Sequence, residues 1–209
     1  ELFDWDVDIT LWVQEFDLGP ARFLIGWLFW MGLRGAAGAL LAVVSVALWL
    51  RNRRIEAVFL LAMGAPDLFN FLLRAAIDRP RPTSDLVNVV GGFQGGSFPS
   101  GSSLHFLLFY GFLIYLAGIY IESRRHLNGL RAITAFYVVV VGIGLIYAGR
   151  HWFTDVMGGY IYGTFYLLCW IASYRWAKEW IGSGEALRFS ERFPPILRRP
   201  LAYGLRLVS

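Results

Sequence analysis

The sequence is poor in cysteine, histidine and charge. A single cysteine, Cys169, among 209 residues excludes a disulfide framework and any multi-cysteine metal site. His105, His126 and His151 are the only histidines and are too scattered to form a ligand cluster, so neither a metal nor a cofactor is expected. Charged residues make up 16% of the chain, against about 25% in soluble domains, which excludes an ordinary polar surface. Disorder is excluded too, because it needs low hydrophobicity and high charge. What fills the chain is apolar: 57% hydrophobic and 17% aromatic residues. The net charge of +4 would suit nucleic acid, but basic residues in an apolar chain more often mark membrane orientation. No nucleic-acid partner is expected.

A hydrocarbon core of ~30 Å takes roughly 17–25 helical residues to cross. Residues 55–77, 103–121, 130–148 and 156–174 meet or approach that length, and 35–50 is slightly short but carries no charge. Residues 9–32 read as an interfacial or re-entrant amphipathic helix rather than a sixth span. The expected fold class is therefore all-α, a polytopic membrane helix bundle with five transmembrane helices and an N-terminal interfacial helix.

Arginine placement orients these spans. Arg51, Arg53 and Arg54 follow the first, and Arg124, Arg125 and Arg131 lie between the third and fourth. Arg175, Lys178, Arg188, Arg192, Arg198, Arg199 and Arg206 follow the fifth. All three groups fall on one side, which the positive-inside rule makes cytoplasmic. Trp49, Trp170 and Trp176 near inner ends and Trp152 near an outer one agree with these boundaries. An odd number of spans with an outside N-terminus, in a chain that begins at Glu1, points to an upstream helix missing here. The expected layout is a membrane domain over 1–177, its first 33 residues an outer-side segment, and a basic cytoplasmic tail over 178–209. Within it, residues 182–209 read either as a membrane-surface or partner-binding segment or as a poorly ordered end. The protein is expected in the cell membrane, with multiple passes.

Four outer-side arginines have no place in that rule: Arg74, Arg79, Arg81 and Arg150. They lie in or beside two links that helix order puts on one face. The first, 78–102, opens Asp78-Arg79-Pro80-Arg81-Pro82 and closes Phe98-Pro99-Ser100-Gly101-Ser102. The second is Gly149-Arg150-His151-Trp152-Phe153-Thr154-Asp155. Snorkelling to headgroups is one reading of such arginines, and for Arg79 it stays open beside a functional one. For Arg74, one turn inside the boundary, charge is costly and function is the default. Converging guanidinium forks match phosphate oxygens. Ser100 and Gly101 put a hydroxyl cap at a helix start, where amides and dipole favour an anion. His151 and Asp155 are four apart, so the carboxylate can hold one ring nitrogen and leave the other as base or nucleophile.

Arg74-x6-Arg81-Pro82, Pro99-Ser100-Gly101 and His151-x3-Asp155 resemble, in order and spacing, the three signature motifs of the type 2 phosphatidic acid phosphatase / haloperoxidase superfamily. Phe98-Pro99-Ser100-Gly101 and Thr154-Asp155-Val156-Met157-Gly158-Gly159 are similar to its bacterial membrane members. The resemblance implies a six-helix membrane fold with a phosphohistidine site at the outer face, the missing upstream helix being the family's first. It implies His151 as nucleophile, Asp155 as its orienting carboxylate, and Arg74 in place of the usual lysine. Arg81 becomes the conventional phosphate-binding arginine, with Ser100, Gly101 and Ser102 as further donors to phosphate. The implied substrate is a membrane lipid phosphate or isoprenoid diphosphate.

Two positions depart from the family pattern. Ser102 stands where the general-acid histidine is usual, and Gly144-Leu145 stand where Ser-Arg is usual, while Tyr147 and Gly149 still agree. Losing a general acid removes about 10²–10⁴ in rate, and a lost phosphate clamp is of comparable weight. His105 and Arg150 are candidate substitutes, against readings of His105 as a hydrogen-bonded intramembrane residue and Arg150 as a headgroup anchor. A diphosphate leaves with little need of protonation, so an active enzyme with Ser102 is expected to prefer isoprenoid diphosphates over lipid monoesters. The competing class is a catalytically degenerate member serving as a structural or lipid-binding subunit of a membrane complex. Gly159-x3-Gly163 and the Gly32, Gly35, Gly38 series allow close helix packing, within the chain or with a partner. A transporter is disfavoured, because among spans only Asp67 is clearly intramembrane, and its spacing to Asn70 and Arg74 fits a residue that steadies the arginine.

Overall fold

Backbone polar groups inside hydrocarbon must be satisfied within their own segment, so apolar spans of this length have to be helices. A computed structural model, describing residues 3–17, 19, 34–91 and 95–191 with isolated positions beyond, is helical in every regular element among those residues. The helices are α1 (Asp4–Glu15), α2 (Arg34–Leu50), α3 (Arg54–Leu61), α4 (Gly64–Ile77), α5 (Gly101–Tyr120), α6 (Arg124–Tyr147), α7 (Phe153–Gly182) and α8 (Glu185–Ser190).

Four stretches are long and apolar enough to cross a membrane: Arg54–Ile77, α5, α6 and α7. The apolar part of α2, Gly38–Leu50, is shorter, as its sequence indicates. Side chains facing outward confirm the class. Ile133, Phe136 and Ile143 on α6, and Ile161, Phe165 and Leu168 on α7, are all exposed. Three-and-four spacing puts each set on one face, and such apolar stripes belong against lipid rather than water. Of the expected interfacial helix 9–32, the described helical part is the second half of α1; residues 20–33, Gly32 among them, lie outside the described residues, as do the surroundings of Gly35 and the side chain of Asp67.

The span expected over 55–77 is broken into α3 and α4 at Ala62 and Met63. Pro66 explains the break, since it has no N–H for the Ala62 carbonyl and is tolerated only in a helix's first turn. At the other end, α7 continues past Tyr174 to Gly182. Its apolar run stops earlier than its hydrogen bonding, because Arg175, Lys178 and Glu179 are good helix formers.

The chain divides into two compact units, one of residues 1–37 and 64–167, the other of 38–63 and 168–209. In the second, Glu56 is buried; Lys178 Nζ donates to its Oε1 at 2.7 Å and the Tyr174 hydroxyl at 2.9 Å. Phe59 packs edge-on against Trp170 and Tyr174 beside them. A charge inside an apolar unit is tolerated only when paired in this way.

The first unit is built around α5, which is apolar on all sides and buries Leu104, Phe106, Leu108, Phe109, Phe112 and Leu116. Ser100 caps it, accepting from the Ser103 amide at 3.3 Å, and Ser123 caps α6 in the same way, accepting from the His126 amide at 3.4 Å. Phe106 joins Val141, Leu145, Ile146 and Val156 in one core cluster that ties α5 to α6 and α7. Small residues let α7 come close. A Cβ on Gly159 would stand 2.6 Å from the Ser100 carbonyl oxygen and 2.8 Å from Ser103 Cβ, and one on Gly163 would stand 3.2 Å from Leu104 Cα. The Gly159-x3-Gly163 face is therefore used inside the chain, whereas Gly38 meets nothing within 4 Å. Gly159→Ala is expected to lower stability by about 1–3 kcal/mol, read as earlier thermal unfolding in detergent. Gly182→Ala, which meets nothing within 4 Å, should leave the unfolding temperature unchanged or slightly raised.

Candidate active site

The links 78–102 and 149–155 are pinned to each other by hydrogen bonds, so the residues expected on one face do meet. The Ser97 amide closes the first link on itself, donating to the Arg79 carbonyl at 2.8 Å, and the Ser100 amide crosses to the second, donating to the Asp155 carbonyl at 2.9 Å. Trp152 Nε1 donates to the Pro80 carbonyl at 3.0 Å, and the Val90 amide to the Ala148 carbonyl at 2.9 Å. The turn into His151 depends on Gly149, whose φ of +60° disfavours a side chain. A Cβ there would also collide with the Asn88 carbonyl.

Asp155, in the first turn of α7, has no exposed surface. Its Oδ1 accepts from Arg79 Nη1 at 2.5 Å and from Ser97 Oγ at 3.3 Å, and its Oδ2 accepts from the Trp152 amide at 2.9 Å. Nδ1 of the buried His151 faces Oδ2 at 3.5 Å, long for a hydrogen bond. Nε2 is thereby the nitrogen left for chemistry. Burial pushes the His151 pKa below its ordinary 6.5, and the nearby Arg81 and Arg74 charges push the same way while Asp155 opposes them. That direction favours the neutral imidazole at pH 7.

Arg74 and Arg81 converge on one acceptor. Arg74 Nε donates to the Gly96 carbonyl at 3.0 Å, and Arg81 Nη2 donates to the same oxygen at 3.3 Å. Arg81 also donates to the Gly95 carbonyl at 3.0 Å and, through Nη1, to the Arg150 carbonyl at 2.8 Å, one residue from His151. Burial lowers the Arg81 pKa and the Arg74 charge lowers it further. Burial also lowers that of Arg150. Crowded cations of this kind are relieved by a bound anion.

The start of α5 stands beside them. A Cβ on Gly101 would lie 3.7 Å from Arg74 Nη1 and 2.8 Å from Asn70 Nδ2, so glycine keeps this corner open. Ser100 is fully buried, and its hydroxyl serves the helix cap, accepting from the Ser103 amide and from Ser103 Oγ at 3.0 Å. The donors best placed for an anion are then the first-turn amides of Gly101 and Ser102. His105 lies one turn deeper, its ring over Phe109 with centroids 6.0 Å apart. Leu145 is buried in the core cluster, while its carbonyl accepts from the Arg150 amide at 3.0 Å.

Arg79, open between headgroup anchor and functional group in the sequence, is buried. Besides Asp155 it binds Asp6 of α1, Nη2 to Oδ2, at 2.6 Å. Asp6 is the site residue that sequence reasoning missed. Its signal was a polar stripe on α1, Asp6, Thr10 and Gln14 at four-residue steps. Ser97 was missed as well, lying within a link read mainly for its arginines.

A family model described as "PAP2 superfamily" matches residues 55–180. Phosphatidylglycerophosphatase B of Bacillus subtilis (strain 168) is 33% identical over 107 residues, 51% of this chain and 51% of its own length. The chain thus spans about half the length of that curated relative. Among solved structures, a transmembrane PAP2-type phosphatidylglycerolphosphate phosphatase from Bacillus subtilis superposes with a TM-score of 0.72 at 22% identity, covering 80% of this chain and 83% of that one. LpxE of Aquifex aeolicus superposes with a TM-score of 0.62 at 20% identity, covering 83% of this chain and 96% of that one. At these identities the two structures establish the shared fold.

The electrostatics are directly measurable. In protein labelled with ¹³C-histidine, the resonance lost in His151→Ala should titrate below pH 6.5, and Arg81→Gln should move that midpoint upward by removing a charge that lowers it. A midpoint at or above 6.5 contradicts the neutral, desolvated imidazole.

Proposed function

Since this chain belongs to the PAP2 superfamily, we propose that it is a membrane lipid-phosphate phosphatase working through a phosphohistidine. The observation that carries the reading is a buried His151 whose Nδ1 faces Asp155 at 3.5 Å, beside Arg74 and Arg81 gathered on the Gly96 carbonyl. Relatives named as phosphatidylglycerophosphate phosphatases support a lipid phosphoester as substrate.

The His151 Nε2 lone pair attacks phosphorus and forms an N–P bond. The bond from phosphorus to the leaving oxygen breaks, and the leaving group departs with the electron pair. Asp155 stabilises the positive charge that develops on the imidazole. Arg74, Arg81 and the amides of Gly101 and Ser102 hold the phosphoryl oxygens, where charge builds in the transition state. Water then attacks phosphorus, the N–P bond breaks, inorganic phosphate leaves and neutral His151 is restored. No metal or cofactor enters this scheme.

Ser102 in place of the family's acid makes proton delivery to an alkoxide the weak step. A diphosphate substrate avoids it, because its leaving group is itself a phosphate. The preference is therefore for isoprenoid diphosphates over phosphatidic acid-type monoesters, with the site on the extracytoplasmic side of the inner membrane as the arginine distribution supports. The second reading, a non-catalytic subunit of a membrane assembly, is favoured by the apolar packing of Leu145 at the place of the family's arginine.

One assay separates these readings. Purified protein should release phosphate from an isoprenoid diphosphate faster than from phosphatidic acid or phosphatidylglycerophosphate. His151→Ala should lower release by roughly 10³-fold or more. The acid limb of kcat/KM should lie below pH 6.5, since attack requires neutral His151 and its pKa is lowered. Release that survives His151→Ala rejects the mechanism, equal turnover of both substrate types rejects the preference, and no release from any lipid favours the subunit.

A further inference from the structure

The motif resemblance leaves Arg79 without a role, yet few side chains here are held as firmly. Its side chain is 5% exposed and lies between two carboxylates with no exposure at all, Asp6 and Asp155. Nη1 also donates to Thr154 Oγ1 at 2.7 Å, and the guanidinium lies 5.5 Å from the Phe3 ring centroid. Asp6 in turn accepts from the Thr154 amide through Oδ1 at 2.9 Å and from the Thr154 hydroxyl through Oδ2 at 2.6 Å. Further along α1, Gln14 Nε2 donates to the Asn88 and Tyr147 carbonyls at 2.7 and 2.9 Å, and its Oε1 accepts from the Asn88 amide at 3.0 Å. The helix is thus docked onto both links that build the site.

We propose that Asp6 and Arg79 are positioning residues that hold the Asp155 carboxylate for His151, making α1 a working part of the active site. The inference rests on the reading of His151 as nucleophile. Its physical content is a charge balance. Paired with Arg79 alone, Asp155 would be neutralised and would offer little to a cationic imidazole. Asp6 draws on the same guanidinium, so two carboxylates and one guanidinium leave a net charge of −1 beside His151. That charge matches the single positive charge His151 acquires when it is protonated or phosphorylated. The fork geometry matters as well, since Arg79 can reach both carboxylates only through two separate nitrogens.

The groups that act on His151 are Asp155 on its own link and the Arg81 and Arg74 charges from across the site. Asp155 additionally faces Arg79, Ser97 and the Trp152 amide. Against that constant background, the two substitutions push in opposite directions. Asp6→Asn takes the cluster to zero net charge and should lower the His151 titration midpoint. Arg79→Gln takes it to two negative charges and should raise it. The double variant restores one negative charge and should return toward wild type. Each single shift should be about half a pH unit or more.

The midpoint is read from the ¹³C-histidine resonance of His151 in the intact protein, and phosphate release is measured on the same samples. Each single variant should lower kcat about tenfold or more, with KM changed less than about threefold. Arg79→Lys keeps the charge but not the fork, so the midpoint should stay near wild type while kcat falls. If Asp6→Asn does not fold, Asp6→Glu serves instead: a lower kcat with an unmoved midpoint supports the proposal, and an unchanged kcat overturns it. Midpoints unmoved in both single variants, or moved in the same direction, overturn it too. Wild-type protein that releases no phosphate yet shows the opposed shifts rejects the phosphatase reading alone and leaves the Asp6–Arg79–His151 coupling standing.

Discussion

A carboxylate with no exposed surface has to be compensated on every side, and Asp155 is compensated from four places in the chain. Arg79 and Ser97 reach it from the long link, the Trp152 amide from the short one, and His151 stands on its remaining edge. Its position in the first turn of α7 adds the favourable end of the helix dipole. Its backbone carbonyl receives the Ser100 amide and so fixes the start of α5. Removing any of these partners would leave charge or a polar group uncompensated in a dry setting, which is why such clusters hold together as units. The conformation of both links, and the docking of α1 through Asp6, follow from the need to satisfy this one group.

Rigidity at the site comes from the opposite kind of interaction. In lipid there is little hydrophobic drive between helices, so close packing has to hold them. Gly159 and Gly163 let α7 lie against Ser100, Ser103 and Leu104 at the start of α5. Gly142 does the same where α6 meets α7, with Tyr160 packed on it and donating to the Val138 carbonyl at 2.6 Å. The residues that bring the helices together are therefore next to those proposed to hold phosphate.

The helices were legible because their apolar runs are long, and the convergence of Arg74, Arg81, His151 and Asp155 was legible because their spacing carries a motif. The break at Pro66 was visible in principle, as a missing donor inside a span. The end of α7 was not, since hydropathy records where lipid stops rather than where hydrogen bonding stops. Partner choice was the least accessible. Arg79 and Asp6 are 73 positions apart, and Glu56 and Lys178 are 122 apart. Composition and periodicity say that a buried charge needs a partner without saying which one. Asp6 was read as part of an acidic outer segment, and its four-residue register with Thr10 and Gln14 gains meaning only once α1 is docked.

Leu145 and Ser102 can be weighed by what each position does besides chemistry. The carbonyl of residue 145 receives the Arg150 amide and so shapes the link that carries His151. That backbone contact is independent of the side chain, and the leucine side chain has been taken into the core with Phe106, Val141, Ile146 and Val156. Ser102 likewise keeps its place at the head of α5, where its amide counts more than its side chain for binding an anion. Both residues are thus compatible with the backbone frame of the two links. On the proposed phosphatase reading, what remains is Arg74 and Arg81 gathered on the Gly96 carbonyl near a His151 whose pKa is lowered, an arrangement that would suit a substrate whose leaving group carries its own negative charge.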